Sequence, residues 1–151
     1  MHYIKAQQDI FKTLVNGNRV CRFDVDEQHT FITNDGFKGW IFPNEILMVN
    51  VEKIPTFKPL EITSIIRPEN KLEITLDFKL PTASSKDLLR KLKSCTKHVF
   101  LRESFLKYFQ NACYYQELDK PLGHVVVTEI VRGVDHPVGI ILPVRTNYED
   151  V

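Results

Sequence analysis

A five-residue echo constrains the fold of this chain more than any other feature. Gly39-Trp40-Ile41-Phe42-Pro43 and Gly139-Ile140-Ile141-Leu142-Pro143 share glycine, isoleucine and proline at matching places. Large apolar residues fill the other two places, and Asp35 and Asp135 stand four residues ahead of each glycine. Glycine in such a run relieves crowding or admits a bulge, and proline stops a ladder because it has no N–H. Strand ends of this composition also arise by coincidence. The order of elements leading to each copy is harder to dismiss, because both follow a short strand, an amphipathic helix and antiparallel strands. The first succession runs through Tyr3–Lys5, Gln7–Asn16 and the strands up to Phe42. The second runs through His98–Leu101, Arg102–Cys113 and the strands up to Val144.

Periodicity supplies the remaining elements. The first helix places Ile10, Phe11, Leu14 and Val15 on one apolar face, and Asn16-Gly17 is a typical helix stop. Arg19–Val25, His29–Thr33 and Phe37–Phe42 read as strands, with Asn34-Asp35-Gly36 as a hairpin turn. Ile46–Val51 and Leu60–Ile66 are further strand candidates, joined by a connector at Pro55 to Pro59. Leu72, Ile74, Leu76 and Phe78 alternate with Glu73, Thr75, Asp77 and Lys79, so Lys71–Leu80 is a strand with one wet face. Ser84 or Ser85 can cap a helix over Lys86–Cys95, whose apolar side is Leu88, Leu89, Leu92 and Cys95. The next helix turns Phe105, Leu106, Phe109 and Ala112 inward. Strands at His124–Val131 and Val138–Val144 flank a turn at residues 132–137, and the polar tail at 146–151 is expected to fray.

These elements predict an α+β fold, a mostly antiparallel sheet with amphipathic helices on one face. It contains two pseudo-repeated β-α-β-β units within one domain of 151 residues. The repeat-like halves are about 1–54 and 97–145, with a hairpin and helix inserted at about 60–95. Composition agrees with a globular domain, at 43% hydrophobic and 26% charged. No apolar stretch long enough to span a bilayer occurs, and no export signal opens the chain, so a soluble, cytoplasmic protein is expected.

The residues at the two echoes and around the last helix resemble DNA sliding clamps of the bacterial β-subunit type. The hairpin Thr30–Phe37 is similar to a strand–Asp-Gly–strand segment of those proteins. The helix Ser104–Phe109, followed by strands and Ile141-Leu142-Pro143-Val144-Arg145, resembles the hydrophobic-Pro-apolar-Arg ending of bacterial clamp chains. The resemblance covers about 60–70 residues, with motifs of low specificity. It implies two β-α-β-β-β units on a continuous sheet. It also implies a pocket at Pro143, Val144 and Arg145 that receives a peptide motif from a partner. Bacterial clamp chains carry three such domains and this chain has room for one, so a ring would require a homo-oligomer.

Twenty Lys and Arg against nineteen Asp and Glu leave a net charge of +1, which argues against a dedicated nucleic-acid reader. The charge is unevenly spread. Lys86, Arg90, Lys91, Lys93, Lys97, Arg102 and Lys107 face only Asp87 and Glu103 within the segment 86–107, a local +5. On a helix, Lys86, Arg90 and Lys93 would form one stripe, suited to weak, non-specific contact with double-stranded DNA. The same stripe also reads as an ordinary solvated helix face.

Aromatic residues crowd the first hairpin, where Trp40 is either core or an exposed contact for a partner protein. Tyr114-Tyr115 invites the same two readings. Asp24, Asp26, Glu27 and His29 form an acidic turn without the glycine and closing glutamate of a calcium loop. Cys21, Cys95 and Cys113 and the five histidines have neither disulfide-scaffold nor zinc spacing, and no phosphate-cradling or nucleophile motif occurs. The chain therefore reads as non-catalytic, with no cofactor or metal. The first expectation is a clamp-like binding protein at DNA or a replication partner, with a phage or mobile-element origin. The alternative is a protein-interaction or regulatory module that does not bind DNA.

Overall fold

The computed structural model describes residues 1–34, 38–48, 54, 71–81, 88–94, 98–118, 120 and 122–145. Helix α1 (Tyr3–Val15) precedes β1 (Val20–Asp24), β2 (His29–Asn34) and β3 (Lys38–Pro43), and a 3-10 turn follows at Asn44–Ile46. Then come β4 (Lys71–Pro81), β5 (Leu88–Lys93) and β6 (His98–Arg102). A one-turn helix, α2 (Glu103–Leu106), leads to β7 (Ala112–Glu117), β8 (Val125–Val131) and β9 (Val134–Ile141). The strands make one open sheet in the order β1-β2-β3-β9-β8-β7-β4-β5-β6, antiparallel at every junction. The α+β class, dominated by antiparallel strands, is as the sequence predicts.

The two glycines of the echo meet at the middle of this sheet. Gly39 lies opposite Ile140, and Trp40 lies opposite Gly139. Close packing demands glycine at both places. A Cβ on Gly139 would stand 2.7 Å from the Phe109 ring and 2.8 Å from the Gly39 carbonyl oxygen, and one on Gly39 would strike the Phe31 ring.

Alternation along β2 and β3 then divides the core. Ile32, Trp40 and Phe42 face Ala6 and Ile10 of α1, while Phe31 and Ile41 join Cys21, Phe23 and Ile140 on the other face. Phe109 covers Gly139 on the α1 side and packs against the α1-facing cluster and a neighbouring one. A third cluster, including Leu92, Leu101, Tyr114, Val125, Val127 and Ile141, draws on β5 to β9. After β9, Val144 N–H donates to Phe100 O on the edge strand β6 at 2.8 Å.

Several local readings are corrected. Residues 3–5 are not a strand but the first turn of α1. The face of α1 that enters the core is Ala6, Gln7, Ile10 and Thr13, so of the expected face only Ile10 is buried. Residues 88–93, read as part of a helix, form β5. Leu, Arg and Lys favour helices, but β4 and β6 offer hydrogen-bonding ladders on both sides, and tertiary pairing overrides propensity. The helix expected over 102–113 lasts four residues. The chain turns at Lys107 and Tyr108, Asn111 adopts a left-handed φ of 46°, and β7 begins at Ala112.

The last hairpin is tighter than expected, since Arg132 and Gly133 both have positive φ and Val131 pairs directly with Val134. That is the backbone shape of a two-residue hairpin turn. Ile46–Met48 is not a strand, and the rest of that candidate, like Leu60–Ile66, lies outside the described residues. Strands β4 and β5 extend the common sheet: β4 pairs with β7 through Lys71–Ile74 and with β5 through Thr75–Pro81. Among the described residues no helix is long and apolar enough to cross a membrane.

Gly139→Ala is expected to destabilise the protein by about 1–3 kcal/mol, the range for overpacking a filled site. A lowered urea midpoint at unchanged slope would register it. An unaltered midpoint would contradict the close β3–β9 approach.

Candidate interaction surface

The face that α1 turns away from the core is largely apolar. Ile4 is 65% exposed, Phe11 63% and Val15 67%, and Leu14 is partly exposed beside them. Met48, 79% exposed, stands next to this face. Ile4, Gln8, Phe11 and Val15 follow helical spacing, so they form one stripe.

Gln7 builds a wall along it. Its buried side chain donates Nε2–H to Ile46 O at 3.0 Å and accepts from Met48 N–H on Oε1 at 2.6 Å. One amide therefore satisfies two backbone groups and seats residues 46–48 against the helix. The 3-10 turn before them is fixed too: Asn44 accepts from Thr30 Oγ1 at 2.6 Å and donates to Glu27 O at 3.2 Å. The result is a cleft of about 580 Å3 lined by Ile4, Gln7, Gln8, Phe11, Lys12 and Met48.

The charge of this face follows from one partly buried contact. Asp9, the only acidic residue of α1, points inward, where it accepts from Tyr108 Oη and pairs with Lys38 Nζ at 3.0 Å. Burial pushes the Asp9 carboxyl up. The hydrogen bonds from Tyr108 and Lys38, with the charges of Lys38 and Lys107, outweigh it and hold the carboxyl below its ordinary range. Burial and the bonded Asp9 carboxylate push the Tyr108 hydroxyl far up. Lys5 and Lys12 remain exposed, and among the described residues neither has an acidic partner within ion-pair distance.

The basic segment does not make a stripe. Strand geometry puts Arg90 on one face of β5 and Lys91 and Lys93 on the other. Arg90 donates to both carboxylate oxygens of Glu103, at 3.0 and 3.1 Å, and Lys79 adds a contact at 3.2 Å. Burial raises the Glu103 carboxyl, but these two cations outweigh it and hold it low. Lys91 is only 4% exposed, Lys93 is exposed, Arg102 is half-buried, and Lys107 Nζ sits 5.2 Å from the Tyr108 ring centre. Lys86 and Lys97 lie outside the described residues.

Trp40 is a core residue, 1% exposed, with its ring edge-on to Tyr108 at 5.0 Å, so it presents no surface to a partner. Pro143 and Val144 are half-buried and Arg145 is exposed, in the segment that meets β6. Tyr114 is buried, whereas Tyr115 donates its hydroxyl hydrogen to Asp135 at 2.9 Å.

The acidic turn closes on itself. Asp26 accepts from Gln28 N–H at 2.7 Å and pairs with His29 Nδ1 at 3.0 Å. Its carboxyl is held low, first by the Gln28 N–H and then by His29. His29 opens into a cleft of about 390 Å3 with Tyr3, Glu129 and His136. Glu129 there is occupied by the Met1 amino group and by Gln110 N–H, both at 2.6 Å. Among the described residues no group of three or more His, Cys, Asp or Glu is placed to hold a metal ion.

The sequence signal for the exposed stripe was present, since Phe11, Leu14 and Val15 form an apolar face. Its destination was not, because Ala6, Ile10 and Thr13 offer an alternative face of similar spacing.

A carboxyl held low in the folded state stabilises it above its ordinary pKa, and that stabilisation is lost as pH falls through the lowered value. The stability gap between the wild-type protein and Asp9→Asn is therefore expected to be full above about pH 5 and to shrink below about pH 4. Urea unfolding across that window measures it, and a gap independent of pH would refute the assignment.

No family model matches the chain, and neither a curated protein nor a solved structure does, so its function is read from this geometry.

Proposed function

We propose that this chain is a non-catalytic binding module that docks a partner protein on the outward face of α1. The carrying observation is the apolar stripe of Ile4, Phe11 and Val15, walled by Met48. Scattered single apolar residues on a surface need no explanation, but a contiguous group beside a formed cleft is typical of an interaction site. The expected DNA face fits less well. Arg90 is tied to Glu103 on one face of β5, and Lys91 is buried on the other.

One observation favours the clamp-like reading as a second possibility. The pairing of Gly39 with Ile140 and of Trp40 with Gly139 relates the two echo segments by a local two-fold. That supports two related units, as the resemblance to sliding clamps implies. On this reading the module assembles as a homo-oligomer, contacts double-stranded DNA weakly, and receives a partner peptide at Pro143, Val144 and Arg145.

Two measurements separate the readings. A photo-crosslinking amino acid at position 11 is expected to give a discrete adduct in cells. Excess unlabelled protein should compete it away, and the Phe11→Glu variant should not. A gel-shift series with duplex DNA down to about 50 mM salt should show no retention. Retention that weakens on charge reversal at Arg90 and Lys93 would replace the first reading with the second. Phe11→Glu itself should shift stability by no more than about 0.5 kcal/mol, as for other exposed sites.

A further inference from the structure

Resting on the α1 docking reading, we infer that the cleft between α1 and Met48 receives an acidic, amphipathic helical segment of another protein. Its size fits, since about 580 Å3 lies within the roughly 300–1,000 Å3 of formed ligand clefts. Its shape fits as well. Ile4, Gln8 and Phe11 recur at helical spacing along the floor, and apolar anchors at similar spacing on a partner helix would interleave with them. The wall is built before any partner arrives, because Gln7 holds Ile46 and Met48 through both ends of its buried amide. A preformed wall lowers the ordering cost of binding.

Charge selects the partner. Lys12 lines the cleft, Lys5 stands two turns back, and none of the described lining residues is acidic. The one carboxylate of α1 that could have balanced them is turned inward to Lys38 and Tyr108. The rim is therefore cationic without compensation on its own helix. It attracts Glu or Asp beside the apolar anchors and repels Lys or Arg. A bilayer would also accept cations beside apolar side chains, but it favours a helix face that protrudes. Here the standing wall of Met48 makes the surface concave.

The test uses the full chain and three fluorescein-labelled peptides of about 15 residues, near the lower length limit for an isolated helix. They share leucines at positions i, i+3 and i+7 and differ only in flanking Glu, Gln or Lys. Anisotropy should show the Glu peptide binding about tenfold more tightly than the Lys peptide at low salt, with the gap closing as salt screens it. Phe11→Glu should abolish binding, and Lys12→Glu should reverse the order of the Glu and Lys peptides. Equal binding of all three peptides, still lost in Phe11→Glu, would overturn the acidic partner while leaving the docking face in place. Absence of binding by every peptide would overturn the inference, and the position-11 crosslink would then judge the docking face independently. Phe11-dependent sedimentation with phosphatidylserine vesicles, without peptide binding, would also overturn it in favour of a membrane surface.

Discussion

The contact between Asp9 and Lys38 sets the arrangement of everything around α1. Lys38 Nζ lies 3.0 Å from the Asp9 carboxylate and within 4.7–5.8 Å of the ring centres of Phe105, Tyr108 and Trp40. A cation set among ring faces and paired with a carboxylate is attracted by both. The contact ties three elements that are distant in sequence: the first helix, the third strand and the turn after α2. It also fixes the rotation of α1 about its axis. With about 100° between successive residues, turning Asp9 inward brings Ala6, Ile10 and Thr13 with it and sends Phe11 and Val15 outward. The apolar outward face of α1 thus goes with a partly buried polar pairing on its other side.

Much of the sheet was legible in the sequence, because strands with one dry face leave a period-two record. Lys71–Leu80 alternates cleanly and becomes β4, and the apolar runs at 29–33 and 124–131 become β2 and β8. The errors arose where two periods fit the same residues. Leu88, Leu89 and Leu92 suit a helix face, yet strand neighbours on both sides claim them for β5. In α1, the helix was visible but its rotation was not, since Ala, Gln and Thr carry little hydropathy signal and their burial depends on specific hydrogen bonds. Gln7 enters the core because it binds two backbone groups of a segment some forty residues away, which no local pattern announces.

The candidate sites show the same division. A local excess of positive charge is plain in the sequence, but its availability is a three-dimensional matter. Once 88–93 is a strand, the helical stripe disappears, and Glu103 at the start of α2 draws in Arg90 and Lys79. Conversely, Lys5 and Lys12 are unremarkable in the sequence. They matter because the single acid between them on α1 is engaged by Lys38 and Tyr108.

The pairing of β3 with β9 joins residues about a hundred positions apart, Lys38 with Ile141 and Trp40 with Gly139. Contacts of such separation form late, because a long loop must close before they repay its entropy. During synthesis, the first three strands therefore stand with an open edge at β3 until nearly all of the described chain has emerged. An open edge is a template for unwanted pairing, and nature guards such edges with short strands, charge and proline. β3 is six residues long, begins at Lys38 and ends at Pro43. The same strand that completes the folded sheet is thus built to wait for its partner.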